Sequence, residues 1–212
     1  MTSTPLLAQR HFGLDLDNTI ILYAEVFRTA ALALDLIPID CAASKAAIRA
    51  QVRALPDGER HWQRLQSWVY GPGVAGATIA PGVPEFIARC RANGAGVSIV
   101  SHKTRHGAVL HEGPDFHQAA RAWLAAHGLV GNGAAMVPAD AVFFEATRAD
   151  KIARLRALRC TDFIDDLEEV FLEPSFPRDV ASYLLALDRD DSPDGPWILC
   201  RNWRQVEDHV YR

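Results

Sequence analysis

Short apolar runs alternate with stretches of helical periodicity along this chain, and that alternation limits its fold more than any other feature. The runs fall at residues 12–16, 96–100, 141–144, 162–164 and 182–187. Helices are predicted over 82–92, 116–127, 150–158 and 202–210, with Asp150 read as a helix cap. Strands that alternate with helices pair in parallel through crossovers. One segment breaks the rhythm: residues 22–78 carry no strand pattern. Three helices are predicted there, one running to about Leu36 from a cap at Asn18 or Thr19, then 42–55 and 59–70. The glycine-rich residues 71–76 read as a hinge. The expected fold is α/β. Residues 1–21 and 79–212 form a Rossmann-like, three-layer core around a parallel sheet. Residues 22–78 form a small all-helical cap over the sheet's carboxyl edge.

The bulk composition suits this reading. Of 212 residues, 49% are hydrophobic and 23% charged. The formal net charge is −4 with no basic stripe, so a nucleic-acid partner is not expected. No apolar stretch approaches the length of a membrane span, and residues 1–5 do not begin a signal peptide. The cytoplasm is the default expectation, with the chain a monomer or homodimer. Cys41, Cys90, Cys160 and Cys200 are scattered, which disfavours a zinc ribbon or redox pair and fits buried thiols.

The chemistry gathers where strands end or helices begin. Asp15-Leu16-Asp17-Asn18-Thr19 follows the first apolar run. Ser101 follows the second, Lys151 opens a helix, and Asp165-Asp166 follows Phe163-Ile164. In a parallel sheet the strands' carboxyl ends share one rim, and ligands bind there. Carboxylates, a hydroxyl and an ammonium that converge on that rim suit a phosphate and a hard divalent cation.

In order and context these segments resemble the four motifs of the haloacid dehalogenase (HAD) superfamily of phosphotransferases. The matches are residues 15–19, Ser98-Ile99-Val100-Ser101, Lys151, and Phe163-Ile164-Asp165-Asp166, so the resemblance covers residues 12–187. It implies a Mg²⁺-dependent phosphatase acting on a small phosphorylated metabolite such as a sugar, polyol or amino-alcohol phosphate. By the resemblance, Asp15 is the nucleophile that becomes an aspartyl-phosphate, and Asp17 protonates the leaving group and then activates water. Ser101 and Lys151 hold the phosphoryl oxygens. Magnesium takes Asp15, the Asp17 carbonyl and the pair Asp165 and Asp166, with the choice within that pair open. Thr19, His102, Lys103 and Arg105 are assigned to substrate binding. One departure is Asp165, which stands where many relatives carry glycine.

Other readings are weaker. A phosphomutase would keep all four motifs, and a non-catalytic binding module could share the fold. A calcium loop fails because Ile20 and Val26 occupy its glycine and glutamate positions. Zinc at His102, His106, His111 and His117 is disfavoured, since only the first two have helical spacing and no cysteine joins them. Gly71 to Gly76 spells a dinucleotide fingerprint without the strand that must precede it. Trp62, Trp68 and Tyr70 are expected in the core of the helical segment.

Overall fold

A computed structural model describes residues 9–107, 113–187 and 191–211. The amino-terminal residues 1–5, His111 and the start of the acidic loop at Asp188 lie outside them.

The chain divides into two compact units. The first comprises Met1–Ile20, Ile79–Lys103 and Leu124–Arg212, and it contains a six-stranded sheet. Its strands are β1 (His11–Leu14), β4 (Gly96–His102), β5 (Val142–Glu145), β6 (Asp162–Asp165), β7 (Ala181–Leu185) and β8 (Ile198–Cys200). The order is β5-β4-β1-β6-β7-β8, and every pairing is parallel. Between the strands run α4 (Val83–Ala92), α6 (Arg148–Ala157) and the single turn α7 (Glu168–Phe171), and α8 (Trp203–Val210) closes the chain. This is the expected Rossmann-like α/β architecture.

The central strand explains the layering. Successive side chains of a strand point to opposite faces. Phe12 meets Phe86 of α4 edge-on at 5.4 Å, and Phe86 meets Trp203 of α8 at 5.0 Å. Its neighbour Gly13 faces the other way. A Cβ there would lie 2.9 Å from the side chains of Leu155 of α6 and Phe163 of β6, so a larger residue would force this layer to shift. Leu155 and Phe163 belong to a buried cluster with Val100, Cys160, Val170, Phe171 and Leu184.

The second unit comprises Ile21–Thr78 and Thr104–Trp123. It holds α1 (Ala24–Ala33), α2 (Lys45–Arg53), α3 (Gly58–Tyr70) and a 3₁₀ turn, Pro72–Gly76. Its aromatic core stacks Phe27 on Trp62 at 5.1 Å and sets Tyr70 against Phe27 and Tyr23. Trp68 is 48% exposed and does not join that core, contrary to expectation. The sequence places Thr104–Trp123 with the sheet, whereas its contacts group it with the helices. The segment includes the first part of α5 (Phe116–Ala126), whose Phe116 meets Tyr70 edge-on at 6.0 Å.

Two local expectations are corrected. The helix after the first motif does not start at Asn18 or Thr19. Asn18 turns the chain with a φ of 63°, Ile21–Leu22 forms a short strand β2 that pairs with β3 (Thr78–Ile79), and α1 begins only at Ala24. Likewise, Thr147 rather than Asp150 caps α6. Its hydroxyl accepts the Asp150 N–H at 3.0 Å and donates to the Asp150 carboxylate at 2.6 Å.

Candidate active site

Parallel pairing sets the rim of the first unit. Leu14 of β1 is level with Ile99 of β4 and Ile164 of β6. One residue further, the Asp15 N–H donates to the Ile164 carbonyl at 2.9 Å, which carries the pairing past the strand's end. Asp15 and Asp165 therefore leave the sheet side by side, and both are buried.

Lys151 joins them. It lies in the first turn of α6, where its N–H donates to the Thr147 carbonyl. Its ammonium, 1% exposed, donates to Asp15 Oδ1 and to Asp165 Oδ2, each at 2.6 Å. A fully buried ammonium is tolerable only with such partners. Burial alone would lower the Lys151 pKa, but the two carboxylates outweigh it and hold the amine above the ordinary lysine value. Burial pushes the Asp15 carboxyl up to about 7. Lys151 pulls against that, and the charges of Asp165 and Asp17 push further. The remaining Asp165 oxygen, Oδ1, accepts the Leu167 N–H at 3.0 Å, so its carboxylate is anchored on both sides.

Asp166, half-buried, accepts from the Asn18 amide at 3.4 Å. The left-handed conformation of Asn18, which asparagine adopts more readily than most residues, turns the loop at this point. Asp15, Asp165 and Asp166 can each offer an oxygen within 4.8 Å of the others, and they are the one such acidic or metal-ligating group among the described residues. His102 and His106 do not form the helical pair a zinc site would need. His102 ends β4 and its Nε2 lies 3.0 Å from the Ala146 carbonyl, while His106 Nδ1 lies 3.1 Å from the Gly113 carbonyl.

Asp17 is bound differently. The ammonium of Lys103 donates to its two carboxylate oxygens at 2.7 and 2.9 Å. Lys103 follows β4 directly, and its N–H donates to the Glu145 carbonyl, which fixes its backbone. Ser101 is buried within β4, two residues past the partner of Leu14. Thr19 is fully buried, and its hydroxyl has no hydrogen-bond partner among the described residues. The Thr19 carbonyl accepts from the indole N–H of Trp203 at 3.1 Å, which ties the first-motif loop to α8. Arg105 belongs to the helical unit and pairs with Asp115 at 3.3 Å.

Of the residues singled out in the sequence, then, Asp15, Lys151, Asp165 and Asp166 gather in one cluster, and Asp17 and Lys103 form a second contact on the same rim. Sequence reasoning missed the Trp203 anchor and the contact from Asn18 to Asp166. Nothing local signals the first. The second had a faint signal, an asparagine beside two aspartates at a turn.

No family model matches the chain. No curated protein matches it either. Solved structures do. The fold is similar to a HAD-superfamily hydrolase, subfamily IA, variant 1, from Geobacter sulfurreducens PCA, with a TM-score of 0.58 and 10% identity over 99% of each chain. It is similar to a predicted phosphoglycolate phosphatase from Haemophilus somnus 129pt, with a TM-score of 0.54 and 13% identity over 97% of this chain and 98% of that one. It is also similar to a dehalogenase solved with an intermediate complex, with a TM-score of 0.56 and 10% identity over 97% of this chain and 99% of that one. The chain has the HAD fold.

Proposed function

We propose that this protein is a HAD-superfamily hydrolase that removes phosphate from a small phosphorylated metabolite by way of a phosphoryl group on Asp15. One observation carries the reading. The buried Lys151 ammonium bridges Asp15 and Asp165, and the Asp166 carboxylate stands within 4.8 Å of both acids.

The donor set fits a magnesium ion. Hard carboxylate oxygens are what Mg²⁺ takes, usually beside retained water. With all groups ionised, Asp15, Asp17, Asp165 and Asp166 carry two more negative charges than Lys103 and Lys151 offset. A divalent cation would balance the rim. Both Asp165 oxygens already accept bonds, which favours Asp15 and Asp166 as direct ligands and Asp165 as their support. When bound, the ion would draw charge off the phosphoryl oxygens and screen them from Asp15.

The chain's own groups divide the remaining work. Asp15 attacks phosphorus, so an Asp15–phosphorus bond forms as the bond to the leaving oxygen breaks. Asp17 gives that oxygen a proton. The resulting Asp17 carboxylate then takes a proton from water, whose oxygen displaces Asp15 and releases phosphate. Lys151 holds Asp15 in place and supplies positive charge where the anionic substrate must approach. Ser101, next along the rim, is assigned to a phosphoryl oxygen. A halide leaves without needing a proton, whereas an alkoxide needs one. The second acid, Asp17, therefore favours phosphate esters over organohalides. His102, which ends β4 in the same unit as Asp15, is the candidate for substrate selection.

Turnover of p-nitrophenyl phosphate with magnesium and with EDTA tests the reading. Activity should require the metal. Asp15→Asn should abolish it without loss of fold, and Asp17→Asn should lower kcat by at least ~10²-fold. Full activity of either variant at matched folding and metal content would refute the role given to that residue.

A further inference from the structure

Lys103 stands out among the charged groups on the rim. Its side chain is 4% exposed, and it grips Asp17 through both carboxylate oxygens, at 2.7 and 2.9 Å. A buried ammonium costs solvation, and ordering a lysine side chain costs rotamer freedom. Both costs fall here on a contact that fixes one specific carboxylate, two residues from Asp15. Lys103 is itself held by its backbone bond to Glu145 at the end of β4, so the grip rests on a strand rather than on a loose loop.

We propose that Lys103 is a positioning residue for Asp17: it holds the side chain in the orientation from which Asp17, once it has taken a proton on one oxygen in place of one Lys103 bond, passes that proton to the leaving oxygen and, as the carboxylate again, takes one from water. This rests on the phosphatase reading above and deepens it. Without the grip, the Asp17 carboxylate loses the two bonds that set its orientation. A misplacement of about 1 Å in a group that must transfer a proton is worth up to ~10²-fold in rate. The consequence is selective. A p-nitrophenolate ion leaves with little help from a proton, whereas an alkoxide depends on one. Loss of Lys103 should therefore lower kcat/KM, which reports transfer to Asp15, far more for alkyl phosphates than for p-nitrophenyl phosphate; hydrolysis of the Asp15 phosphoryl group is common to both esters and lies outside that ratio. A lysine that simply bound the phosphoryl group would matter equally for both.

The test compares kcat and KM for p-nitrophenyl phosphate and glycerol phosphate in the wild type, Lys103→Met, Asp17→Asn and the double variant, with folding followed by thermal unfolding. Lys103→Met should lower kcat/KM for glycerol phosphate by ~10-fold or more, with a clearly smaller loss of kcat/KM on the aryl ester. In the Asp17→Asn background the same substitution should have almost no further effect on kcat/KM, because the group it positions is already gone. Lys103→Arg keeps the charge but moves it. It should show the same selectivity at smaller size, and it carries the test if Lys103→Met does not fold. Equal losses of kcat/KM on both esters, a loss that persists in full beside Asp17→Asn, or no loss at all would overturn the proposal. If glycerol phosphate is a poor substrate of the wild type, another alkyl phosphate that is turned over takes its place. If the wild type hydrolyses no ester, or Asp15→Asn stays active, the phosphatase reading itself fails.

Discussion

Lys151 carries the charge balance of the site, because it is the buried cation between two buried acids. Replacing it with methionine leaves Asp15 and Asp165 facing each other without a partner. Breaking a buried pair in this way costs about 3–5 kcal/mol. The cost should depend on pH, and its sign follows from Asp15. The Asp15 carboxyl sits above its ordinary value in the folded protein, raised chiefly by burial, and removing Lys151 takes away the main opposing influence. A carboxyl raised on folding favours the folded state while it is protonated, and that contribution is lost as pH rises through its folded value. Metal-free Lys151→Met should therefore resist urea better at pH 5.5 than at pH 8, relative to wild type at each pH. A deficit that is the same at both would show that Asp15 does not take up the proton. The order of the motifs brought Asp15 and Lys151 to one rim, where their side chains do meet. The partner of Lys103 was not legible, because Asp17 lies 86 residues away in sequence and nothing local records a salt bridge of that span.

At the scale of elements, the position of Lys151 depends on how α6 begins. Thr147 fixes the first turn through its bonds with Asp150, and that turn sets the direction of the lysine. Thr147→Ala should cost about 0.5–2 kcal/mol in chemical denaturation. It should also lower turnover, since the frayed turn is the one that carries Lys151. An unchanged kcat would mean that α6 packing alone holds the lysine. The sequence marked this helix but assigned the cap to Asp150, which occupies the third helical position and bonds back to Thr147. The longer strands were readable because buried parallel strands are continuous apolar runs. The three-residue β8 and the four-residue α7 were not, since so few residues establish no period. The start of α1 was misplaced for another reason. Asn18 and Thr19 look like caps in one dimension, but the chain uses them for a tight loop whose carbonyl is held by Trp203, 184 residues away.

At the scale of the molecule, the first unit brings together residues from three strand ends and the first turn of α6, and the fold was legible because alternation of strands and helices allows few alternatives. The allocation of Thr104–Trp123 to the helical unit was not legible, since it depends on tertiary contacts of a helix whose own pattern suits either place. No helix among the described residues is long and apolar enough to cross a membrane. If Asp15 and Asp166 hold magnesium, the ion should stabilise the folded state by mass action. At a hundred times its dissociation constant the gain is about 2.7 kcal/mol. Thermal unfolding with and without magnesium should show this gain in the wild type and little of it in Asp166→Asn, and an equal gain in both would remove Asp166 from the ligand set. The central claim is that Asp15 carries the phosphoryl group, and trapping it is the most direct test. Asp17→Asn should be mixed with magnesium and p-nitrophenyl phosphate, whose leaving group needs little acid help, quenched in acid within the first turnovers, and its peptides weighed by mass spectrometry. The expected result is one added phosphoryl group on the peptide containing Asp15, lost on treatment with hydroxylamine. Phosphate release without any label on Asp15, or with the label on another residue, would contradict the account.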